Sequence, residues 1–247
     1  MSDKRYSVWI GFDQREAAAF AVAKYSARRR MTLPVPVRGI VLDDLIGRGL
    51  YQREVQERPG PAGNKILWDP ISDAPMSTSF AISRFFTPML AESGWALFLD
   101  CDVLVRVSLV RLFEQLDEKF AVYCVKHPEM PDAGGVKMNQ QVQVPYRRKN
   151  WSSVCVYNVD HPANKALTLE ALNELPGRSL HAFSWLPDDM IGELGPEWNH
   201  LIGVNPLPDI QPRILHYTLG IPTLPGFEDC DYSAEWWKEL TAWAAGS

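Results

Sequence analysis

Blocks of apolar residues alternate with polar ones along this chain, and the period inside the blocks switches between that of a strand and that of a helix. Tyr6 to Phe12 is a short apolar run closed by Gly11, which predicts a buried strand. Gln14 to Arg30 is alanine-rich and ends in basic residues, a composition suited to a helix C-terminus. Val35 to Leu42 carries β-branched residues and predicts a second strand, followed by a polar stretch with proline and glycine from Asp43 to Ser77. Ser79 to Ala91 predicts a helix, Trp95 to Leu99 a strand, Leu109 to Gln115 a short helix and Phe120 to Val125 another strand. Pro128 to Asn150 is polar and without periodicity, and loops of that length usually serve function. Ser153 to Val159 then predicts a strand, Ala163 to Leu175 and Met190 to Leu194 helices, and Ile214 to Tyr217 an extended segment. Ala234 to Ala245 closes the chain as a helix, with Ser233 as its expected N-cap.

Strands that alternate with helices predict an α/β fold with a mixed, mostly parallel sheet flanked by crossover helices. No internal repeat or linker divides the chain, so residues 1–247 are expected to form one domain. At 46% hydrophobic and 22% charged residues, the chain has the apolar content of a soluble globular protein with an ample core. The net charge of −5 offers no broad basic face to nucleic acid. Cys101, Cys124, Cys155 and Cys230 are scattered without a Cys-x-x-Cys pair, which predicts free thiols in a reducing compartment. No signal-peptide pattern follows Met1, and no stretch approaches the roughly 20 apolar residues of a membrane span, so a cytoplasmic location is expected. Trp236, Leu240 and Trp243 recur at helical spacing and predict a stripe docked on the core rather than a membrane contact.

The sharpest chemistry lies in Ala96-Leu97-Phe98-Leu99-Asp100-Cys101-Asp102, a buried-strand pattern ending in two carboxylates spaced i, i+2. Extended backbone puts both on one face, where they repel unless a cation or proton lies between them. The carboxyl end of a buried strand is where open α/β sheets bind ligands, and a hard divalent ion there keeps positions open for phosphates. Asp229-Cys230-Asp231 repeats the triplet after Pro225-Gly226, with no apolar strand before it, and reads as a turn. The preceding strand therefore carries the signal, and a plain strand-end turn is the competing reading of Asp100 and Asp102.

Several separated stretches resemble glycosyltransferase family 8 and its relatives, in a divergent bacterial-type branch. They are Ile10-Gly11-Phe12-Asp13, Ile82-Ser83-Arg84-Phe85-Phe86, the Asp100-Cys101-Asp102 triplet, Trp151 to Asn158, Trp185-Leu186-Pro187-Asp188-Asp189 with Glu197-Trp198-Asn199, and Ile214 to Gly220. The resemblance covers residues 6 to 220 in the order of that family. It implies the A-type glycosyltransferase fold, with a Rossmann-like nucleotide-sugar-binding half over 1–105 and an acceptor and catalytic half over 106–247. The implied activity is metal-dependent, retaining transfer from a nucleoside diphosphate sugar, a uridine one first, to a saccharide or lipid-linked acceptor.

By that resemblance, Asp100, Asp102 and His216 are the ligands of Mn²⁺, with Mg²⁺ the alternative. Phe12 and Asp13 line base and ribose, and Cys101, Ser153 and Gly220 belong to the donor site. Arg84 pins a donor-sugar hydroxyl or a nearby carboxylate, and the pair Asp188 and Asp189 stands where the catalytic acidic or amide groups fall. Each has a plainer reading: a hydrogen-bonded core histidine, a helix-face arginine, a helix start. Two departures stand out. Trp151 occupies a position where the family commonly has Asn, and Ile221-Pro222-Thr223 replaces the Gly and Lys expected after His216. Lys149 or Arg148, in the basic cluster begun by Arg147, is then the candidate phosphate-binding cation. A nucleotidyltransferase and a non-catalytic nucleotide-sugar-binding protein are the alternative functions; the first lacks its usual Gly-rich, basic loop after the first strand.

Overall fold

The computed structural model describes residues 5–60, 63–128, 148–207 and 209–246. Most of the unpatterned Pro128 to Asn150 segment, Arg147 included, lies outside them. In chain order the elements are β1 (Tyr6–Gly11), α1 (Ala17–Arg29), β2 (Val37–Ile40), α2 (Leu42–Gly47), β3 (Gln56–Pro59), β4 (Lys65–Asp69), β5 (Ala74–Met76), α3 (Thr87–Ala91), β6 (Trp95–Leu99), β7 (Val103–Val105) and α4 (Val110–Phe113). They continue with β8 (Val122–Cys124), β9 (Val154–Asn158), α5 (Leu169–Glu174), α6 (Gly177–His181), β10 (Ile191–Glu193), β11 (His200–Leu201), β12 (Ile214–His216) and α7 (Ser233–Ala244).

The expected α/β sheet is present, in the order β10-β8-β9-β6-β1-β2. β1 runs parallel to both β2 and β6, and β10 parallel to β8; β9 alone runs against its neighbours β6 and β8. Leu97, Phe98 and Leu99 have no exposed surface, because a central strand is covered on both faces. Helix α1 covers one face: Ala19, Val22, Ala23, Ser26 and Ala27 are buried at the i, i+3, i+4, i+7, i+8 spacing of an amphipathic helix.

Several expected elements differ. Ser79 to Ala91 is not one helix but a 3₁₀ turn, Ser83–Phe86, leading into α3, whose Pro88 suits a first turn that needs no N–H donor. Ala163 to Leu175 breaks at Leu167, where Thr168 caps α5 by accepting from the Ala171 N–H. Met190 to Leu194 is the strand β10 rather than a helix, since Gly192 lies flat against the Tyr123 ring of the neighbouring strand. The polar Asp43 to Ser77 stretch folds into α2 and a small antiparallel sheet, β3-β4-β5. α7 begins at Ser233 with left-handed Tyr232 (φ 61°) before it, so Ser233 is not the cap. On α7, Trp236 is fully buried, but Trp243 is 49% exposed, and Glu239 takes the place on the core side by pairing with Arg29 and Arg30 of α1. All four cysteines are free thiols.

Candidate active site

The site forms where β6 ends and two sheets meet. The chain leaves β6 at Leu99, and the Asp100 N–H donates to the Ser153 carbonyl at 2.8 Å, tying the first carboxylate to the start of β9. Asp102 immediately precedes β7, which pairs antiparallel with β12 so that Val103 faces His216. The Tyr217 N–H donates to the Asp102 carbonyl at 2.9 Å and locks that register. A strand pairing between residues more than a hundred positions apart thus brings His216 beside the second aspartate. One ligand atom from each of Asp100, Asp102 and His216 lies within 4.8 Å of the others.

The surrounding polar groups fix these side chains. His216 is 1% exposed; its Nε2 lies 3.2 Å from Asp102 Oδ1 and its Nδ1 is 2.9 Å from Asn199 Oδ1. Arg84, on the Ser83–Phe86 turn, pairs with Asp100 at 2.8 Å and donates to the Ser152 carbonyl at 3.1 Å, its guanidinium lying against the Phe80 and Phe98 rings. The buried Cys101 thiol donates to Glu16 Oε2 at 2.9 Å. Burial first, and the Asp102 charge second, push Glu16 up to about 7.

A cavity of about 230 Å³ opens onto this cluster. Its wall includes Asp100, Asp102, Lys149, Ser153 and Arg84 from the expected site, and it continues through Ser152 and His181 to Asp69 and Ser72. Other expected residues lie off that wall. Phe12 meets Phe20 edge-on at 5.1 Å. Asp13 is 1% exposed, and its carboxylate is saturated by Arg15 N, Nε and Nη2 together with Ser79 N and Oγ. Burial would raise Asp13, but these donors outweigh it and hold the group below the usual carboxylate range. At Gly220 an added Cβ would run into the Phe227 ring, so this position leaves room for that side chain. Asp188 and Asp189 are exposed on a 3₁₀ turn, and Asp188 pairs with Arg148. Asp229 and Asp231 of the second triplet are exposed in a turn, as expected.

The donor chemistry fits a divalent cation. The Asn199 amide is oriented by its Nδ2 donating to Ser153 Oγ at 3.0 Å, so its oxygen accepts the Nδ1 proton of His216. Nε2 is then the nitrogen that faces a carboxylate oxygen 3.2 Å away, lone pair to lone pair when the ring is neutral. Two acceptors stay that close only with a cation or proton between them. Two oxygens and an imidazole nitrogen suit Mn²⁺, and suit Mg²⁺ less.

Sequence reasoning gave no role to Glu16, Thr218, Asn199 or the Asp69 wall. Thr218 had a signal: it lies in the Ile214 to Gly220 stretch of the resemblance, in the turn two residues beyond His216. Asn199 stood in the Glu197-Trp198-Asn199 stretch of the same resemblance.

The fold is that of the A-type glycosyltransferases. The chain superposes on GlyE of Streptococcus pneumoniae TIGR4 with a TM-score of 0.58 at 16% identity, over 98% of this chain and 62% of that one. It superposes on the bifunctional glycosyltransferase WbbM at 0.58 and 15% identity, covering 96% of this chain and half (50%) of that one. With the galactosyltransferase LgtC, solved with donor and acceptor sugar analogues, the TM-score is 0.57 at 13% identity, over 96% and 95% of the two chains. In sequence, the chain is 37% identical to Protein CDI of Arabidopsis thaliana over 242 residues, 96% of this chain and 86% of that protein, and it belongs to the family of Protein CDI. No protein-family profile matches it. No helix among the described residues is long and apolar enough to cross a membrane.

Proposed function

We propose that this protein is a metal-dependent retaining glycosyltransferase of the family 8 type, moving a sugar from a uridine diphosphate sugar to a saccharide or lipid-linked acceptor. The observation that carries this reading is the convergence of Asp100, Asp102 and His216 within 4.8 Å, with both aspartates at the wall of a cavity. The A-type fold supports it. Residues 1–105 supply the two carboxylates, and 106–247 supply His216 and its supports, so donor and acceptor halves meet at the cavity. Four free thiols fit a reducing, cytoplasmic setting.

Asp100, Asp102 and His216 would hold the cation, Mn²⁺ in preference to Mg²⁺. When bound there, the ion supplies Lewis-acid stabilisation of the negative charge that a departing nucleoside diphosphate develops. The chain's own residues do the rest. Arg84 fixes the Asp100 carboxylate from behind. Lys149 lines the cavity and forms no ion pair among the described residues, so it replaces the lysine missing after His216 in meeting the diphosphate. Arg148 is engaged elsewhere, donating to the Ala182 carbonyl at 2.6 Å and to Asp188. The catalytic assignment of Asp188 and Asp189 rests on the resemblance alone. Their position off the cavity wall favours, as a second reading, a binding protein that holds a nucleotide sugar without turning it over.

Thermal shift with uridine, guanosine and adenosine diphosphates and their sugars, with and without Mn²⁺, tests the reading, because a ligand that binds only the native state raises the melting point. The expected result is Mn²⁺-dependent stabilisation, largest with the uridine compounds. No shift with any of them would overturn the reading. Release of free sugar or transfer to an acceptor separates the enzyme from the binding protein.

A further inference from the structure

Two buried thiols that the metal reading does not use stand directly opposite each other on adjacent strands. β8 and β9 run antiparallel, and their register sets Cys124 against Cys155. Neither residue has exposed surface. The Asn158 N–H donates to the Ala121 carbonyl at 2.9 Å, so 121 and 158 are a hydrogen-bonded pair of this ladder. Such pairs alternate with non-hydrogen-bonded ones along an antiparallel ladder, which makes 124 and 155 a non-hydrogen-bonded pair. Two further contacts agree. On the other side of β9, the Asp100 N–H donates to the Ser153 carbonyl at 2.8 Å, so the Cys155 main chain turns toward Phe98 of β6. On the far side of β8, the Cys124 carbonyl accepts from the Leu194 N–H at 2.9 Å.

Opposite residues of a non-hydrogen-bonded pair have Cα atoms about 4.5 Å apart, with their side chains close. Disulfides span Cα separations of roughly 4.4–6.8 Å, so this pair falls within reach, at the short end. Closing the bond therefore draws on small adjustments of the two strands. Cys155 also adjoins the supports of the metal cluster. Its thiol donates to the Ser152 carbonyl at 3.9 Å, and the same carbonyl accepts from Arg84. The Ser153 carbonyl holds the Asp100 N–H, and the Ser153 hydroxyl accepts from Asn199. Ser152 and Ser153 both line the cavity, so a small oxidant entering it reaches the residues that cover Cys155. Burial pushes both thiols up, Cys155 to about 12, so thiolate is scarce at neutral pH and the reaction is slow.

We propose that Cys124 and Cys155 are a reversible disulfide site, closed by a peroxide, and that its closure loosens the cation site. In the first step the Cys155 sulfur attacks one oxygen of hydrogen peroxide, the O–O bond breaks and water leaves, giving a sulfenic acid. The Cys124 sulfur then attacks the Cys155 sulfur, the S–O bond breaks and a second water leaves. The two thiols lose two electrons and two protons, and one hydrogen peroxide becomes two waters. A dithiol reverses the bridge by exchange. Closure removes the thiol proton from the Ser152 carbonyl and draws the start of β9 toward β8, away from Arg84 and Asp100. That last effect rests on the reading of Asp100, Asp102 and His216 as cation ligands.

The test treats wild type with hydrogen peroxide, then combines non-reducing peptide mapping after an acid quench with calorimetric titration of Mn²⁺. Expected are a linked Cys124–Cys155 peptide, lighter by two hydrogens than its reduced parts, and roughly 3- to 10-fold weaker Mn²⁺ binding, the yield of one weakened hydrogen bond. Dithiothreitol should restore both. The double variant Cys124→Ala with Cys155→Ala keeps Cys101 and Cys230, and its Mn²⁺ affinity should not respond to peroxide. Absence of the linked peptide overturns the inference. So does a linked peptide with unchanged Mn²⁺ affinity, or an equal loss of affinity in the double variant. If reduced wild type binds no Mn²⁺ but the linked peptide forms, the cation reading fails and the disulfide site stands.

Discussion

Asn199 Oδ1 lies 2.9 Å from His216 Nδ1, and this contact decides what the imidazole offers to Asp102. The amide is held in turn by Ser153, whose hydroxyl donates to the Asn150 carbonyl at 2.6 Å. The relay runs from main chain to ring, so that Nε2 is the nitrogen left facing the carboxylates. Outer partners of this kind set the tautomer of a ligating histidine and commonly change metal affinity by about 10- to 100-fold when removed. Asn199→Leu is therefore expected to weaken Mn²⁺ binding by about that factor, with a stability loss of about 1–3 kcal/mol from the stranded Ser153 and His216 groups. Wild-type Mn²⁺ affinity in a folded Asn199→Leu protein would sink the assignment.

The chain carries its own control for the metal. Asp102→Ala removes one of three ligand groups and is expected to abolish Mn²⁺-dependent stabilisation while the fold persists. Asp100→Ala does the same and also strands Arg84. The double change Asp229→Ala with Asp231→Ala touches the other Asp-x-Asp, exposed in its turn, and should leave the Mn²⁺ response intact. Equal loss in both pairs would mean that the response is non-specific charge binding.

Arg84 and Asp100 form a largely buried pair, their side chains 7% and 16% exposed. Breaking such a pair from one side commonly costs about 3–5 kcal/mol, because the remaining charge is stranded. Arg84→Met is expected to lose stability on that scale without metal. A cation held by Asp100 supplies the missing counter-charge, so Mn²⁺ should raise the melting point of Arg84→Met more than that of wild type. An equal or smaller rise would mean that Asp100 does not touch the ion.

How much of this was legible in the sequence follows from burial. β6 is apolar at every position, and its end in two carboxylates is abrupt, so strand and candidate ligands were both readable from Trp95 to Asp102. His216 was readable only through the family resemblance, because the β7–β12 pairing that delivers it is long-range. The β3-β4-β5 sheet was invisible: β3 alternates between half-buried and exposed, and its residues Gln56 to Pro59 carry no apolar side other than proline. Yet this sheet supplies Asp69. Trp243 was misjudged because helical spacing cannot tell which residue faces the core once a buried ion pair, here Glu239 with Arg30 at 2.6 Å, takes a place on that side.

His127 gives the protein a pH-dependent limb. It is 8% exposed, and burial, with the nearby His216 and His200 second and third, pushes its pKa down to about 4. The unfolded chain binds this proton with an ordinary histidine value near 6.5. Protonation therefore favours unfolding: the contribution is complete above about pH 6.5 and is lost as the pH falls toward 4. His181, also lowered by burial, adds in the same direction. With chelator present to exclude metal, the melting point should fall over that window, and His127→Gln should show a shallower slope. An identical slope in His127→Gln would assign the acid limb to other groups.

Asp188 and Asp189 set the family resemblance against the geometry. The resemblance makes them the groups nearest the reacting sugar carbon, and loss of a transition-state contact there would cut turnover by about 10²-fold or more with donor affinity preserved. In the structure both carboxylates are exposed, and Asp188, with 81% of its side-chain surface accessible, pairs with Arg148 rather than with any group on the cavity wall. An exposed ion pair contributes about 0–1 kcal/mol, so Asp188→Asn should leave stability almost unchanged. On the geometry, turnover of Asp188→Asn and Asp189→Asn should stay within about tenfold of wild type, equivalent to a barrier change below about 1.4 kcal/mol. Single-turnover assays at saturating donor measure this directly. A fall of about a hundredfold in either variant, with unchanged donor affinity, would restore the catalytic role and require the 3₁₀ turn at Asp188–Met190 to move toward the cavity during the reaction.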